Sequence, residues 1–110
     1  MKSSTEIKNI AQECINIEID AVNQLLDRID NNFVKIIHTI LMSKGKIVVA
    51  GIGKSANIAK KIVATFNSTG QRSVFLHLAD AVHGDLGNIQ KDDIVICISK
   101  SGNTKEIKSL

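Results

Sequence analysis

Proline, tryptophan and tyrosine are absent from this sequence, and its aromatic content is three phenylalanines. Modules that bind nucleic acid usually cluster their basic residues and interleave stacking aromatics. Neither occurs here. The net charge of +3 comes from lysines scattered along the chain, and a small phosphorylated ligand makes better use of that balance than a nucleic acid does. Long apolar runs are missing as well: the longest, Ile94 to Ile98, is five residues, against the roughly 20 that a membrane-spanning helix needs. A membrane is therefore not an expected partner. The opening "MKSSTEIKNI" has no apolar signal core and runs straight into a helical pattern, so residence in the cytoplasm is the default expectation.

Cysteine is scarce too. Cys14 and Cys97 have no C-x-x-C spacing, so neither a disulfide framework nor a zinc ribbon is indicated, and both read as small buried hydrophobes. What remains is a globular composition, with 44% apolar and 23% charged residues and no low-complexity tract. At 110 residues the chain holds one modest core, short for a complete α/β enzyme domain of about 150 residues or more.

From Thr5 to about Asp27 the apolar residues step by three and four, the helical period, with Ser3, Ser4 or Thr5 available as the cap. "DNN" at 30–32 breaks this pattern. Its second Asn is suited to cap a further helix with Phe33, Ile36, Ile37, Ile40 and Leu41 on the inner face, and Gly45 suits the left-handed residue past that helix. Residues 1–44 thus read as a helical hairpin or a kinked long helix, whose broad apolar face packs on the remaining core or on a partner subunit. After Lys46 the rhythm changes to short β-branched runs, "IVVA" (47–50), "SVFLH" (73–77) and "DIVICIS" (93–99). Continuous runs of this kind fit parallel strands buried on both faces. Between the first two lies a helix of about 15 residues, with Ile58, Ile62, Val63 and Phe66 inward, closed by Gly70. Residues 78–92 read mostly as loop, and "SGNTKEIKSL" begins another helix. The expected fold class is α/β: the front part of a doubly wound parallel sheet of flavodoxin or Rossmann type, occupying residues 45–110, within a larger enzyme.

Three turns leave the carboxyl ends of these strands, the edge at which open parallel sheets bind ligands. In the first, "GIGKSAN", Gly51 and Gly53 leave N–H groups open at a helix N-terminus, Lys54 adds a positive charge and Ser55 a hydroxyl. A P-loop needs a glycine where Val48 stands, which argues against nucleotide triphosphate hydrolysis. The dinucleotide pattern is met by Gly51, Gly53 and Ala56, but no acidic residue ends the second strand to hold a ribose. In the second turn, "HLADAVHGDLG", His83 suits recognition of sugar hydroxyls, whereas His77 fills space at the sheet edge. His77, His83 and Asp85 lack the fixed spacing of a metal site, so no metal is expected. The third turn, "ISKSGNTKE", offers Ser99, Ser101 and Thr104 around Gly102 as a phosphate cradle, and Glu106 on the first helical turn is suited to proton transfer. Lys60, Lys61, Arg72, Lys91 and Lys105 read as solvated surface, and "KDD" at 91–93 as a turn.

With "GIGKSANIAKKIVATFNSTG", "HGDLG" and "ISKSGNTKEI" in this order, the sequence resembles the sugar isomerase (SIS) family, of the arabinose-5-phosphate isomerase type. The resemblance implies interconversion of D-arabinose 5-phosphate and D-ribulose 5-phosphate for synthesis of the eight-carbon acid sugar Kdo of bacterial envelope polysaccharides. It implies a homo-oligomer, tetrameric in full-length relatives, and no cofactor. Lys54 and Glu106 then match catalytic positions and His83 a pocket histidine. Gly51, Gly53, Ser55, Ser99, Ser101, Gly102, Asn103 and Thr104 match substrate and phosphate contacts; family members frequently carry Glu where Asn103 stands. The alternatives are a non-catalytic sugar-phosphate sensor and a nicotinamide-dependent oxidoreductase using the Gly51 turn.

Overall fold

The computed structural model describes every residue of 1–110 except His83, Thr104 and Ser109, and for Val82 and Asp85 the backbone alone. The chain divides into two compact units, Met1–Thr39 and Ile40–Leu110.

In the first unit, α1 (Ser4–Gln24) begins where the Ser3 hydroxyl accepts the N–H of Glu6 at 3.2 Å. It runs into a 3₁₀ turn, Leu25–Arg28, and the chain then enters α2 (Asn31–Met42). The cap of α2 is Asp30, whose Oδ1 accepts from Phe33 N–H at 3.1 Å, and not Asn32 as the spacing suggests. A cap must precede the first helical residue, and the helix starts ahead of its apolar stripe. Neither α1 nor α2 contains a buried residue. The expected inner face of α2 is open at Phe33, Ile36, Ile37 and Leu41, and Cys14 on α1 is exposed rather than buried. The apolar period is present, but of the expected α2 face only Ile40 is half-buried, against the cluster of Ile47, Val49 and Ala59.

The second unit is a three-stranded parallel sheet in the order β2-β1-β3, with β1 spanning Ile47–Gly51, β2 Ser73–His77 and β3 Ile94–Cys97. Every residue of β1 is buried, as a central strand covered on both faces must be. Side chains alternate between the faces. Ile47 and Val49 meet α3 (Lys54–Ser68) through Ala59, Ile62, Val63 and Phe66; Val48 and Ala50 meet α4 (Leu78–Val82) through Leu78 and Ala81. Helices on both faces make the arrangement doubly wound. Ile58 departs from the sequence expectation: it is 55% exposed, because Ala56 and Ala59 form the line of closest approach to the sheet. The residues between β2 and β3 are more helical than expected, since α4 is followed by a 3₁₀ turn at Asp85–Asn88.

Two clamps hold the amino ends of the strands. Asn67, near the end of α3, accepts the Ser73 N–H at 2.9 Å and donates to its carbonyl at 3.0 Å, while the Ser73 hydroxyl donates to the Ile47 carbonyl at 2.9 Å. Asp93 accepts from Lys46 N–H, Lys46 Nζ and Gln90 N–H. Gly45 is not in the left-handed region. It is required for a different reason: a Cβ there would collide with the Asp92 carbonyl and the Asp93 carboxylate.

Candidate functional site

Because the strands are parallel, their carboxyl ends share one edge. Gly51 lies opposite His77 and Ala50 opposite Cys97, so the three connections leave the sheet within one residue of the same level. Ile98 N–H adds one further ladder bond to the Ala50 carbonyl at 2.8 Å before the third connection turns away.

The first connection has two glycines for two reasons. Gly51 is buried with the start of α3 against it: a Cβ there would lie 2.8 Å from the Ser55 carbonyl carbon and oxygen. Gly53 has φ 59° and ψ −131°, backbone that side-chain-bearing residues avoid, with open space around it. Among the described residues, no side chain caps α3. Its first N–H groups and the positive end of its dipole are therefore presented at the rim. Lys54, the first residue of α3, is exposed there and Ser55 is half-buried. An uncapped N-terminus beside an ammonium group suits an anion such as a phosphate monoester.

At the second connection His77 Nδ1 accepts the N–H of Ala79 at 3.2 Å, and its ring meets Phe75 edge-on at 6.2 Å between centroids. Accepting at Nδ1 places the ring proton of a neutral imidazole on Nε2. His77 thus works as a local cap for α4. The role expected of His83 falls outside the described residues, and Gly84 beyond it has φ 128°.

At the third connection the Ser99 hydroxyl accepts Gly102 N–H at 3.0 Å and the Ser101 hydroxyl accepts Asn103 N–H at 3.1 Å, with Gly102 at φ 70°. These bonds fold the turn on itself. The Ser101 hydroxyl, in accepting, still carries a proton to donate, so the loop keeps donor capacity for a ligand. Thr104 lies outside the described residues. Glu106 is half-buried on α5 (Lys105–Lys108), whose Ile107 packs on the core cluster of Leu78 and Ala81. Contact between α4 and α5 brings the second and third connections to one side of the sheet. Among the described residues no ion pair joins Lys54 to Glu106, and no three His, Cys, Asp or Glu side chains gather as metal ligands. Burial pushes the Cys97 thiol above its ordinary pKa, which suits a half-buried packing residue and not a nucleophile.

Two features escaped the sequence reading. A groove of about 450 Å³ lined by Lys46, Val74, Phe75, Gly87, Asn88 and Gln90 shares no residue with the expected site. Lys60, expected as plain solvated surface, sets its ammonium 5.2 Å from the Phe75 ring centroid. Neither has a local sequence pattern that would reveal it.

Residues 40–110 match the SIS domain. The chain is 48% identical over 110 residues to arabinose 5-phosphate isomerase KdsD of Pseudomonas aeruginosa, covering 100% of this chain and 34% of that protein. It is 42% identical over 104 residues to arabinose 5-phosphate isomerase GutQ of Escherichia coli K12, covering 94% of this chain and 32% of that protein. A solved structure from E. coli CFT073, in complex with arabinose 5-phosphate, matches with a TM-score of 0.91 at 42% identity, covering 98% of this chain and 57% of that one. The chain spans about a third of the length of these curated relatives.

Proposed function

The chain belongs to the SIS domain family, and on that premise we propose that the whole protein interconverts D-arabinose 5-phosphate and D-ribulose 5-phosphate. The observation that carries this reading is the rim itself: three polar connections at one sheet edge, with the uncapped start of α3 beside Lys54. The relatives named as arabinose 5-phosphate isomerases support the choice of sugar.

The chemistry is redox-neutral overall. A base takes the proton from C2 of the aldose while O1 gains one, giving an enediol; C1 is then protonated and O2 loses its proton, giving the ketose. Atoms and electrons balance within the substrate and its proton carriers, so the reaction requires no external oxidant. Lys54 steadies the oxyanion that develops at O1, and such electrostatic stabilisation usually contributes most to the lowering of a barrier of this kind. Glu106 carries the proton or orients the hydroxyls, and His83 holds sugar hydroxyls. Ser99, Ser101 and Thr104 anchor the phosphate, whose binding energy positions the reacting end, and Gly51, Gly53, Ser55, Gly102 and Asn103 complete the substrate and phosphate contacts. Run in the reverse direction the same steps form the aldose, which feeds Kdo synthesis in the cytoplasm, and the working form is a homo-oligomer.

The test is to mix the whole protein with arabinose 5-phosphate and follow ketose formation beside Lys54→Ala. Conversion slowed about 10²- to 10³-fold by the substitution is expected. Sugar phosphate bound but not converted would return the protein to the sensor class. Undiminished turnover in Lys54→Ala would remove the site assignment.

A further inference from the structure

His77 carries more than its place as a helix cap requires. It immediately precedes α4, and its Nδ1 accepts the N–H of Ala79, the second residue of that helix, at 3.2 Å. Capping alone calls for a short acceptor such as Asn, Asp or Ser. An imidazole differs from these in holding a second nitrogen on the far side of a rigid ring. With Nδ1 accepting, the ring proton sits on Nε2, and among the described residues that N–H meets no acceptor.

Two observations place this half-buried ring. Register sets its level: His77 pairs with Gly51, so it stands at the carboxyl edge of the sheet, one strand away from the turn that leads into α3. Alternation sets its face. Phe75, two residues earlier, packs with Ile47, Val49 and Ala59 on the α3 side of the sheet, and the His77 ring meets the Phe75 ring edge-on at 6.2 Å. His77 therefore shares both an edge and a face with the uncapped start of α3, where Lys54 stands. The bond at Nδ1 and the contact with Phe75 hold the ring at two points, which keeps the donor in one orientation before a ligand arrives.

We propose that His77 binds substrate, its Nε2–H donating to an oxygen of the sugar chain at the end that Lys54 faces, while the third connection keeps the phosphate. The inference rests on the isomerase reading above and adds a residue to it. The bond to Ala79 then has a second use, since it fixes which ring nitrogen carries the proton. A neutral donor next to the Lys54 ammonium suits a hydroxyl-bearing chain, because it adds a hydrogen bond without adding a charge that would compete for the phosphate.

The test is a magnetic resonance titration of the whole nitrogen-labelled protein, with arabinose 5-phosphate and separately with inorganic phosphate. The His77 ring is identified by its Overhauser contact with Phe75, so the titration needs no variant. Its Nε2–H signal is expected to move on saturation with the sugar phosphate and to stay in place with inorganic phosphate. His77→Asn, which keeps an acceptor at the cap, should leave the Ala79 amide as slow to exchange as in the parent and lower kcat/KM about tenfold. A His77 signal that ignores the sugar phosphate while the Gly53 and Ser101 amides respond overturns the proposal and leaves the isomerase reading standing. A His77 signal that moves with inorganic phosphate puts the ring at the phosphate and overturns it too. Undiminished kcat/KM in His77→Asn, with Ala79 still protected, reduces His77 to a cap. Silence of all three signals removes the rim as a binding site, and both readings fall together.

Discussion

The Asp93 carboxylate accepts both the backbone N–H of Lys46, at 3.0 Å, and its ammonium, at 2.5 Å. Lys46 precedes β1 and Asp93 precedes β3, so one side chain ties the entries of two neighbouring strands. The Asp93 side chain is 1% exposed, and the bond from the Lys46 ammonium, followed by that from Gln90 N–H, brings its pKa down to about 2. A folded-state pKa below the unfolded value contributes stability that is complete above the unfolded pKa of about 4 and is lost as pH falls through the folded one. The urea midpoint is therefore expected to fall between about pH 4 and pH 2. Asp93→Asn should lower the midpoint at neutral pH and flatten that acid slope; an unchanged slope would assign the acid sensitivity to other groups.

The two glycines of the first connection should fail differently. Gly51→Ala forces a methyl group to 2.8 Å from the Ser55 carbonyl and is expected to cost about 1–3 kcal/mol by overpacking. Gly53→Ala meets no neighbour, and its cost of about 1–3 kcal/mol comes from the positive φ alone. Denaturation curves measure both. Amide chemical shifts separate them, because the first substitution pushes on the opening turn of α3 and the second does not.

Asn67→Ala leaves both the Ser73 N–H and its carbonyl without their side-chain partner. A loss of about 1–3 kcal/mol is expected, along with faster hydrogen exchange at the Ser73 amide. Unaltered exchange would show that another group takes over the pairing.

Lys54 is exposed and its ammonium makes no hydrogen bond or ion pair among the described residues, so Lys54→Ala should leave stability within about 0.5 kcal/mol of the parent. Its effect belongs to turnover. Lys54→Arg keeps the charge but replaces a compact ammonium with a planar fork, and partial recovery of activity relative to alanine is expected. Full recovery would indicate that charge alone matters at this position.

The strands are legible because a buried parallel strand leaves a continuous β-branched run, and 47–50 and 73–77 mark β1 and β2 to within one residue. The helical period marks α1, α2 and α3 equally well. It cannot say what covers a face, which is why Cys14 and the α2 stripe look like interior residues in the sequence. The Lys46–Asp93 pair is invisible there for another reason: its members stand 47 positions apart, and a single long-range ion pair has no period. "KDD" looks like a solvated turn until the strand beside it is in place. At the rim, the turns themselves are readable from glycine, lysine and serine spacing. That the hydroxyls of Ser99 and Ser101 accept from their own loop is not, since the bonds depend on backbone dihedrals that composition does not encode.

The middle position of β1 bears on how the protein is made. Its first neighbour, β2, follows within 26 residues, but the second arrives with Ile94, the partner of Ile47. On the ribosome, therefore, the strand that ends fully buried has one flank unpaired until β3 has emerged, and that interval is when a chaperone has its target.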